Sequence, residues 1–266
     1  MTSVAKVAGI LTALVILGYA LFLSLFPTYR VRYRLTLDVE DNGKPVSFSQ
    51  IIEIRYELVP DFLVSGYGGR KFIGNFFGAA PTLDLGEKGL VFVIDKYSTD
   101  RWSSHCARNI DNKPVPTCVR SASLADLPFL AFGYPTDVMP SKAAFYLSQI
   151  QQRHDSAIIP IADLPMLIRF ENISNPQSLE EVDPRDFAKK FGSGYALLRA
   201  SLTLTSAPIG GPSVKWPPFL MALSRELKNS SVQEKLARGE SLDKVSGTVA
   251  RIHGFEQIYV TDFLNN

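Results

Sequence analysis

The sequence predicts an α+β protein in which an N-terminal transmembrane helix precedes a mainly antiparallel β domain with short interspersed helices. Three observations predict it: a charge-free apolar run near the N-terminus, strict alternation over the next twelve residues, and helix-period apolar spacing between later strands. Residues 1–27 are assigned to the anchor and residues 28–266 to one extramembrane domain, because no Gly/Ser linker or charge block divides the latter.

The apolar run extends from Val7 to Phe26, twenty residues without a charge. As a helix it spans about 30 Å, the thickness of a bilayer core. A cleaved signal peptide has a shorter apolar region and a small-x-small site, neither of which is present. The alternative is a buried core helix, but the run is apolar all round and flanked by Lys6 and Arg30. We therefore expect Val7–Phe26 to hold the chain in a lipid bilayer.

Two signals disagree about the side of the membrane on which the domain lies. Arg30, Arg32 and Arg34 favour a cytoplasmic domain by the positive-inside rule. Cys106 and Cys118, however, stand twelve positions apart in a polar, proline-containing stretch. A disulfide there would contribute ~3 kcal/mol and would persist only in an oxidising compartment, whereas two unrelated free thiols are the alternative. We expect the disulfide, and hence an inner-membrane protein with a periplasmic C-terminal domain.

The first strand begins directly after the anchor. From Tyr29 to Glu40 the chain alternates, and one face holds Tyr29, Val31, Tyr33, Leu35, Leu37 and Val39. Residues 41–44 supply turn chemistry, and a second strand places Ile52, Ile54, Tyr56 and Leu58 inward. Arginines and carboxylates share the outer face of this hairpin, where they can pair across the strands.

Later elements alternate between strands and helices. Strands are expected at 83–85, 90–94, 166–170 and 198–204, and a helix with Ala143, Leu147 and Ile150 on one face is expected at 141–154. A second helix is predicted to start at Asp183-Pro184 with Asp183 as its N-cap, and to end at Gly192. Further helices are expected at 218–227 and 231–239 and a hairpin at 249–260, while residues 96–140 read as mostly irregular.

Two stretches resemble a known group of proteins. RVRYRLTLDVEDNGKPVSFSQIIEIRY, within Tyr29 to Tyr56, and EEVDPRDFAKKFGSGYALLRASLTLT, from Glu180 to Thr205, are similar to an uncharacterised family of proteobacterial single-pass membrane-anchored proteins. Together they cover under a quarter of the chain. The resemblance implies an ectodomain type, and it adds no functional residue because no activity is assigned to that family.

The loop most suggestive of ligand binding contains Gly68, Gly69, Arg70 and Lys71, where glycines beside two cations would expose N–H groups to an anion. A plain hairpin loop is the alternative. His105 with the two cysteines forms a conceivable metal set, but no fourth ligand is apparent. His154 before Asp155 reads either as a general base or as a helix-terminal histidine. We expect no catalytic residue, no metal site and no cofactor.

Composition narrows the functional classes. Apolar residues make up 46% of the chain, charged residues 20%, and the formal net charge is +2. These values exclude wholesale disorder and give no support to nucleic-acid binding through bulk positive charge. No G-x-S-x-G or H-E-x-x-H motif occurs. Two cysteines exclude a disulfide-dense scaffold.

Three functions fit these constraints. The first is a non-catalytic domain that binds a partner protein or another envelope component. The second is a membrane-tethered enzyme without a short motif, which predicts a deep pocket lined by titratable groups near Arg70 or His154. The third is an accessory subunit with an exposed apolar surface at Phe72, Phe76 and Phe77.

Overall fold

The computed structural model describes residues 12–18, 26–67, 72–94, 122–136, 138–172, 178–210 and 264–265. Residues 12–18 are helical and form α1. Among the described residues, none of the helices has the length and apolar character needed to cross a membrane. The elements expected between 218 and 260 lie outside the described residues.

Strands and short helices alternate after residue 27. Their bounds are β1 Thr28–Asp41, β2 Lys44–Leu58, β3 Phe72–Ala79, β4 Thr82–Asp84, β5 Leu90–Val93, α2 Leu127–Ala131, α3 Pro140–Gln151, β6 Ser156–Ile159, β7 Leu167–Phe170, β8 Leu179–Val182, α4 Phe187–Phe191, β9 Tyr195–Leu204 and β10 Leu264–Asn265. Short 3-10 helices cover Asp61–Tyr67, Gly86–Lys88 and Ile161–Asp163.

The strands form two sheets. One has the order β10-β3-β2-β1-β9-β6 and the other the order β4-β5-β7-β8. Every strand pairing in the described ranges is antiparallel. The α+β class and the antiparallel sheet predicted from the sequence are thereby confirmed.

The hairpin of β1 and β2 is the central feature of the larger sheet. Its register is continuous from Thr28 opposite Glu57 to Asp41 opposite Lys44. Asn42 and Gly43 both have positive φ, 50° and 78°, as a two-residue turn that matches the strand twist requires. The predicted inward residues from Val31 to Val39 and from Ile52 to Leu58 are buried, and Tyr29 is partly buried against the same core, so the predicted faces of both strands are confirmed.

Two buried tyrosines tie the segment before α2 to the larger sheet. The Tyr33 hydroxyl donates to the Leu124 carbonyl at 2.7 Å, and the Tyr56 hydroxyl donates to the Ala125 carbonyl at 2.6 Å. Phe129 in α2 meets the Tyr56 ring edge-on, with centroids 5.7 Å apart. Part of the region predicted to be irregular is therefore a packed helix within the same core.

The start of α4 differs from the prediction. Asp183 was expected as its N-cap, but the helix begins at Phe187, and Asp186 caps it by accepting a backbone N–H of the first turn. Asp183 instead accepts bonds from the backbone and guanidinium of Arg185, which closes a separate turn. The helix ends at Gly192, as predicted, where φ is +107°.

The alternation predicted for β9 is interrupted by a bulge. Ala200 and Leu202 are buried as expected, whereas Leu198 is 50% exposed. The register shifts there, because Asp38 lies opposite Arg199 and the next residue, Val39, lies opposite Leu197. One extra residue in β9 therefore turns Leu198 outward and Leu197 inward.

The buried face predicted for α3 is confirmed, since Ala143, Leu147 and Ile150 are fully buried. The N-terminus of α3 is satisfied from outside the helix. The Asp61 carboxylate accepts the Ser141 backbone N–H at 3.0 Å and the Ser141 hydroxyl at 2.7 Å. A carboxylate in this position binds an otherwise unpaired N–H and complements the helix dipole.

Asp61→Ala is expected to lower the free energy of unfolding by about 1 kcal/mol, the usual loss when a helix cap is removed. Urea unfolding of the full chain in detergent measures the change. Asp155→Ala is the control, because the Asp155 side chain is 56% exposed and, among the residues that the structure describes, forms only a surface pair with Arg153 at 3.2 Å. Equal effects of the two substitutions would contradict a capping role for Asp61.

Candidate anion-binding groove

The outer face of the central hairpin carries a fixed cluster of charges. Strand alternation puts Arg32 and Arg55 on this face, and the register places Arg32 directly opposite Glu53. Arg32 Nη2 donates to one Glu53 oxygen at 2.6 Å, and Arg55 Nε donates to the other at 2.7 Å. The Glu53 side chain is only 3% exposed. Both its oxygens are therefore occupied by guanidinium groups.

Burial and charge act in opposite directions on the Glu53 carboxyl. Burial raises its pKa, but the hydrogen bonds and positive charges of Arg32 and Arg55 outweigh that effect and hold the pKa below its ordinary value. Glu53 is therefore ionised at neutral pH. Its charge orients the two guanidinium groups and is not available as a proton donor.

Arg32 also holds the segment that follows β9. Its Nη1 donates to the carbonyls of Ser206 and Ala207, each at 3.1 Å. Gln50 of β2 donates to the Gly210 carbonyl at 3.4 Å, further along the same segment. The Nε atom of Arg32 is buried and finds no acceptor among the described residues. Arg32 thus has a defined conformation at the boundary between the sheet and this segment.

A groove of about 530 Å³ opens at the start of β1, beside these groups. The end of α3 forms its other side, because Gln151 Nε2 donates to the Arg30 carbonyl at 2.8 Å. Its lining residues are Arg30, Val31, Arg32, Glu53, Gln151, Arg153, His154, Leu204, Thr205 and Ser206. Three separate parts of the fold therefore meet at the groove: the β1–β2 hairpin, the end of α3 and the end of β9.

Positive charge dominates the groove. Three arginines line it against the single carboxylate of Glu53, whose oxygens are already bound. Arg30 is exposed and has no ion pair within the described part of the chain. The Arg153 guanidinium lies 4.6 Å from the centre of the Phe132 ring and pairs with Asp155. These two contacts restrict the position of the guanidinium group. Fixed guanidinium groups with hydroxyl and amide donors beside them suit a phosphate, sulfate or carboxylate.

The site residues predicted from the sequence fall largely elsewhere. Gly68, Gly69, Arg70 and Lys71 lie outside the described residues, as do Cys106 and Cys118 with their predicted disulfide. His105 lies outside them as well. His154, predicted as a helix-terminal residue or a general base, follows α3 and lines the groove. Within the described ranges, no group of three or more His, Cys, Asp or Glu side chains is placed to hold a metal ion.

Of the apolar surface predicted at Phe72, Phe76 and Phe77, the structure describes the side chains of Phe76 and Phe77, and neither is freely exposed. Phe76 is 2% exposed and belongs to the core. Phe77 is half-buried on the outer face, where the Arg55 guanidinium lies 3.9 Å from its ring centre. This contact stacks a cation on the aromatic face and covers it. The covering of these two rings weakens the accessory-subunit hypothesis, which predicted that they are exposed.

A second charged cluster lies in the smaller sheet. Glu180 pairs with Arg169 across β7 and β8 and also with Lys190 of α4. Burial raises the pKa of Glu180, but these two cations outweigh it and hold the pKa below its ordinary value. The Arg169 guanidinium is 4.9 Å from the centre of the Phe191 ring. The cluster fastens α4 to the sheet and does not line the groove.

Comparison of the chain with protein-family models, curated proteins and solved structures finds no match. The functional proposal therefore rests on this chain's own residues.

Proposed function

We propose that this chain is a single-pass inner-membrane protein whose periplasmic domain binds an anionic group of an envelope component without catalysis. The groove at the start of β1 carries the proposal. It brings Arg30 and Arg32 of β1 together with Arg153, which follows α3. Glu53 is shared by Arg32 and Arg55, and Asp155 pairs with Arg153, whereas Arg30 has no ion pair within the described part of the chain. Such a surface attracts an anion and holds it by charge-assisted hydrogen bonds.

The exposure of α1 supports the proposed anchor. All seven residues from 12 to 18 are exposed, including four consecutive large apolar side chains, Leu14, Val15, Ile16 and Leu17, at 59–70%. These residues lie within the charge-free run Val7–Phe26. A helix that is apolar on every side is stable only in apolar surroundings, and a lipid bilayer provides them. The groove would then lie close to the membrane, because β1 begins directly after the run.

Binding is favoured over catalysis by the state of the groove's carboxylate. General acid–base catalysis uses a group whose pKa lies near the working pH. Glu53 has its pKa lowered instead, and both its oxygens accept bonds from arginines. A membrane-tethered enzyme is the second candidate function, because His154 lines the groove. It requires that His154→Ala abolish turnover of a groove ligand while leaving its binding intact.

Arg30→Ala is expected to weaken binding of an anion in the groove about tenfold, since a hydrogen bond to a charged group contributes roughly 1.5–3 kcal/mol. Arg34→Ala is the matched control: Arg34 is exposed on the same face of β1, but it does not line the groove. Titration calorimetry of the full chain in neutral detergent, with pyrophosphate as the probe, measures both variants.

The comparison between Arg30 and Arg34 separates a site from general charge attraction. We expect Arg34→Ala to change the affinity for pyrophosphate less than about twofold at 0.15 M salt, where distant charges are screened. Equal losses in the two variants would mean that the anion is attracted by the whole arginine row. No measurable binding of pyrophosphate, sulfate or a polycarboxylate to the unsubstituted chain would refute the groove as an anion site.

A further inference from the structure

Three large apolar side chains are exposed around the N-terminus of α3. Phe62 is 72% exposed, Phe145 58% and Met139 41%. The two hydrogen bonds from Ser141 to Asp61 place the segment that holds Phe62 beside the start of α3, where Met139 and Phe145 lie. We refer to Phe62, Met139 and Phe145 as the apolar patch. Apolar side chains exposed singly are ordinary, whereas a group of them on neighbouring segments is typical of a contact surface.

The apolar patch lies at the end of the sheet where the chain leaves the run Val7–Phe26. The Leu58 N–H donates to the Pro27 carbonyl at 3.2 Å, and Thr28 lies opposite Glu57. Asp61 comes three residues after Leu58, and three residues span at most about 10 Å. Phe62 is therefore held near the point at which the proposed anchor would enter the bilayer.

Cationic side chains accompany the apolar patch. Lys142 is exposed in the first turn of α3, next to Ser141, and Arg30 is exposed near the beginning of β1. Two carboxylates also lie at this end of the sheet: Asp61, which accepts two hydrogen bonds from Ser141, and Glu57, which accepts one from Asn75. Exposed aromatic and apolar side chains beside lysine and arginine suit the headgroup region of a membrane, where rings enter the acyl boundary and cations meet anionic lipids.

We propose that the apolar patch rests in the headgroup region of the same bilayer that holds Val7–Phe26. This proposal depends on the anchor in the proposed function, and it adds a second contact between the domain and the lipid. A single anchor helix leaves a domain free to tilt, whereas two contacts orient it. The groove, which Arg30 lines, would then be presented at a constant height above the membrane surface.

Single tryptophans report the position of the apolar patch. The full chain, with Trp102→Phe and Trp216→Phe, would carry Phe62→Trp or Phe145→Trp in vesicles of phosphatidylethanolamine and phosphatidylglycerol with acyl-brominated phosphatidylcholine. Ile158→Trp is the matched control, since Ile158 is an exposed apolar residue, 63%, on the edge strand β6. Ile158 lies opposite Ser201, which pairs with Thr36 of β1. Thr36 is eight residues, or about 27 Å, from Thr28, so position 158 is far from the end of the sheet that follows the proposed anchor.

We expect bromine quenching at positions 62 and 145 to exceed quenching at position 158 at least about twofold. Equal quenching at all three positions, or none at positions 62 and 145, would overturn the proposal. Alkaline carbonate extraction separates this result from the anchor: a chain that resists extraction but shows no quenching at 62 and 145 is anchored without the second contact. A chain that is extracted, yet is quenched at those positions before extraction, refutes the anchor and supports the lipid contact.

Amide hydrogen exchange of the unsubstituted chain provides a second measurement that does not depend on folding of the variants. Exchange at residues 61–64 and 139–146 is expected to be slower in the vesicles than in a lipid-free sample in which an amphipathic polymer covers only the run Val7–Phe26. Exchange at 156–159 serves as the internal reference. Uniform rates in the two preparations would count against lipid contact at the apolar patch.

Discussion

Glu53→Gln is expected to lower the free energy of unfolding by about 2 kcal/mol. The substitution keeps the shape of the side chain but removes the negative charge that Arg32 and Arg55 share. Breaking a fully buried ion pair costs about 3–5 kcal/mol, and we expect less here because the two arginine side chains are 32% and 37% exposed. Two guanidinium groups would then face each other without a counter-ion.

Glu57→Gln is the matched control for this substitution. Glu57 occupies the same outer face of β2, four residues further on, but it is exposed, and within the described ranges its one side-chain bond is from Asn75 at 3.3 Å. Its replacement is expected to change stability by less than about 0.5 kcal/mol. Urea unfolding of the full chain in detergent compares the two. Similar losses would show that any charge change on this face has the same effect, contrary to a specific role for Glu53.

The effect of Glu53→Gln is also expected to depend on pH. The pKa of Glu53 is lower in the folded than in the unfolded chain, so its contribution is complete above the unfolded value of about 4.3 and disappears as pH falls through the folded value. The stability difference between the unsubstituted chain and Glu53→Gln should therefore be constant near neutrality and shrink below about pH 4.3. A difference that grows in acid would contradict the assigned sign. The pKa of Glu180 is lowered as well, but Glu180 is present in both the unsubstituted chain and the variant, so its contribution to the stability difference cancels.

Local patterns were sufficient to predict the elements whose burial alternates regularly. The two faces of β1 and β2 and the buried stripe of α3 follow from periods of two and of 3.6 residues, which the sequence displays directly. The N-cap of α4 was misplaced because Asp183 and Asp186 both precede the helix. Propensity does not distinguish two candidate caps three residues apart. The bulge at Leu198 depends on the register with β1, which no local pattern in β9 records.

The groove could be predicted only in part. The arginine row of β1 was visible in the alternation, and pairing with carboxylates on β2 was expected from it. The contribution of Arg153 and His154 depends on the packing of α3 against the start of β1. Those residues are more than 120 positions from Arg30 in sequence, and no periodic pattern relates them. A charge cluster that forms by tertiary packing of distant segments cannot be predicted from local sequence patterns.

Gly74→Ala is expected to destabilise the protein by about 2–3 kcal/mol, although replacing glycine by alanine in a strand is ordinarily favourable. A Cβ at Gly74 would lie 2.6 Å from the Ala125 Cβ and 3.3 Å from the Ile54 Cγ2. The Ala125 segment cannot move away freely, because the Tyr56 hydroxyl holds its carbonyl at 2.6 Å. Gly210→Ala is the control, since among the described residues a Cβ there meets only the Gln50 Nε2, at the ordinary distance of 3.8 Å.

Ala125→Gly should rescue Gly74→Ala if the clash between the two Cβ atoms is the cause. Alone, Ala125→Gly removes one buried methyl group and is expected to cost about 1 kcal/mol. In the double variant one Cβ fills the space left by the other, so the loss should be smaller than the sum of the single losses by more than about 1 kcal/mol. Additive losses in this cycle would mean that Gly74 is required for its backbone or for the Ile54 contact. A combined loss well below the sum would show that the segment before α2 packs directly on β3, in addition to the hydrogen bonds by which Tyr33 and Tyr56 hold it to β1 and β2.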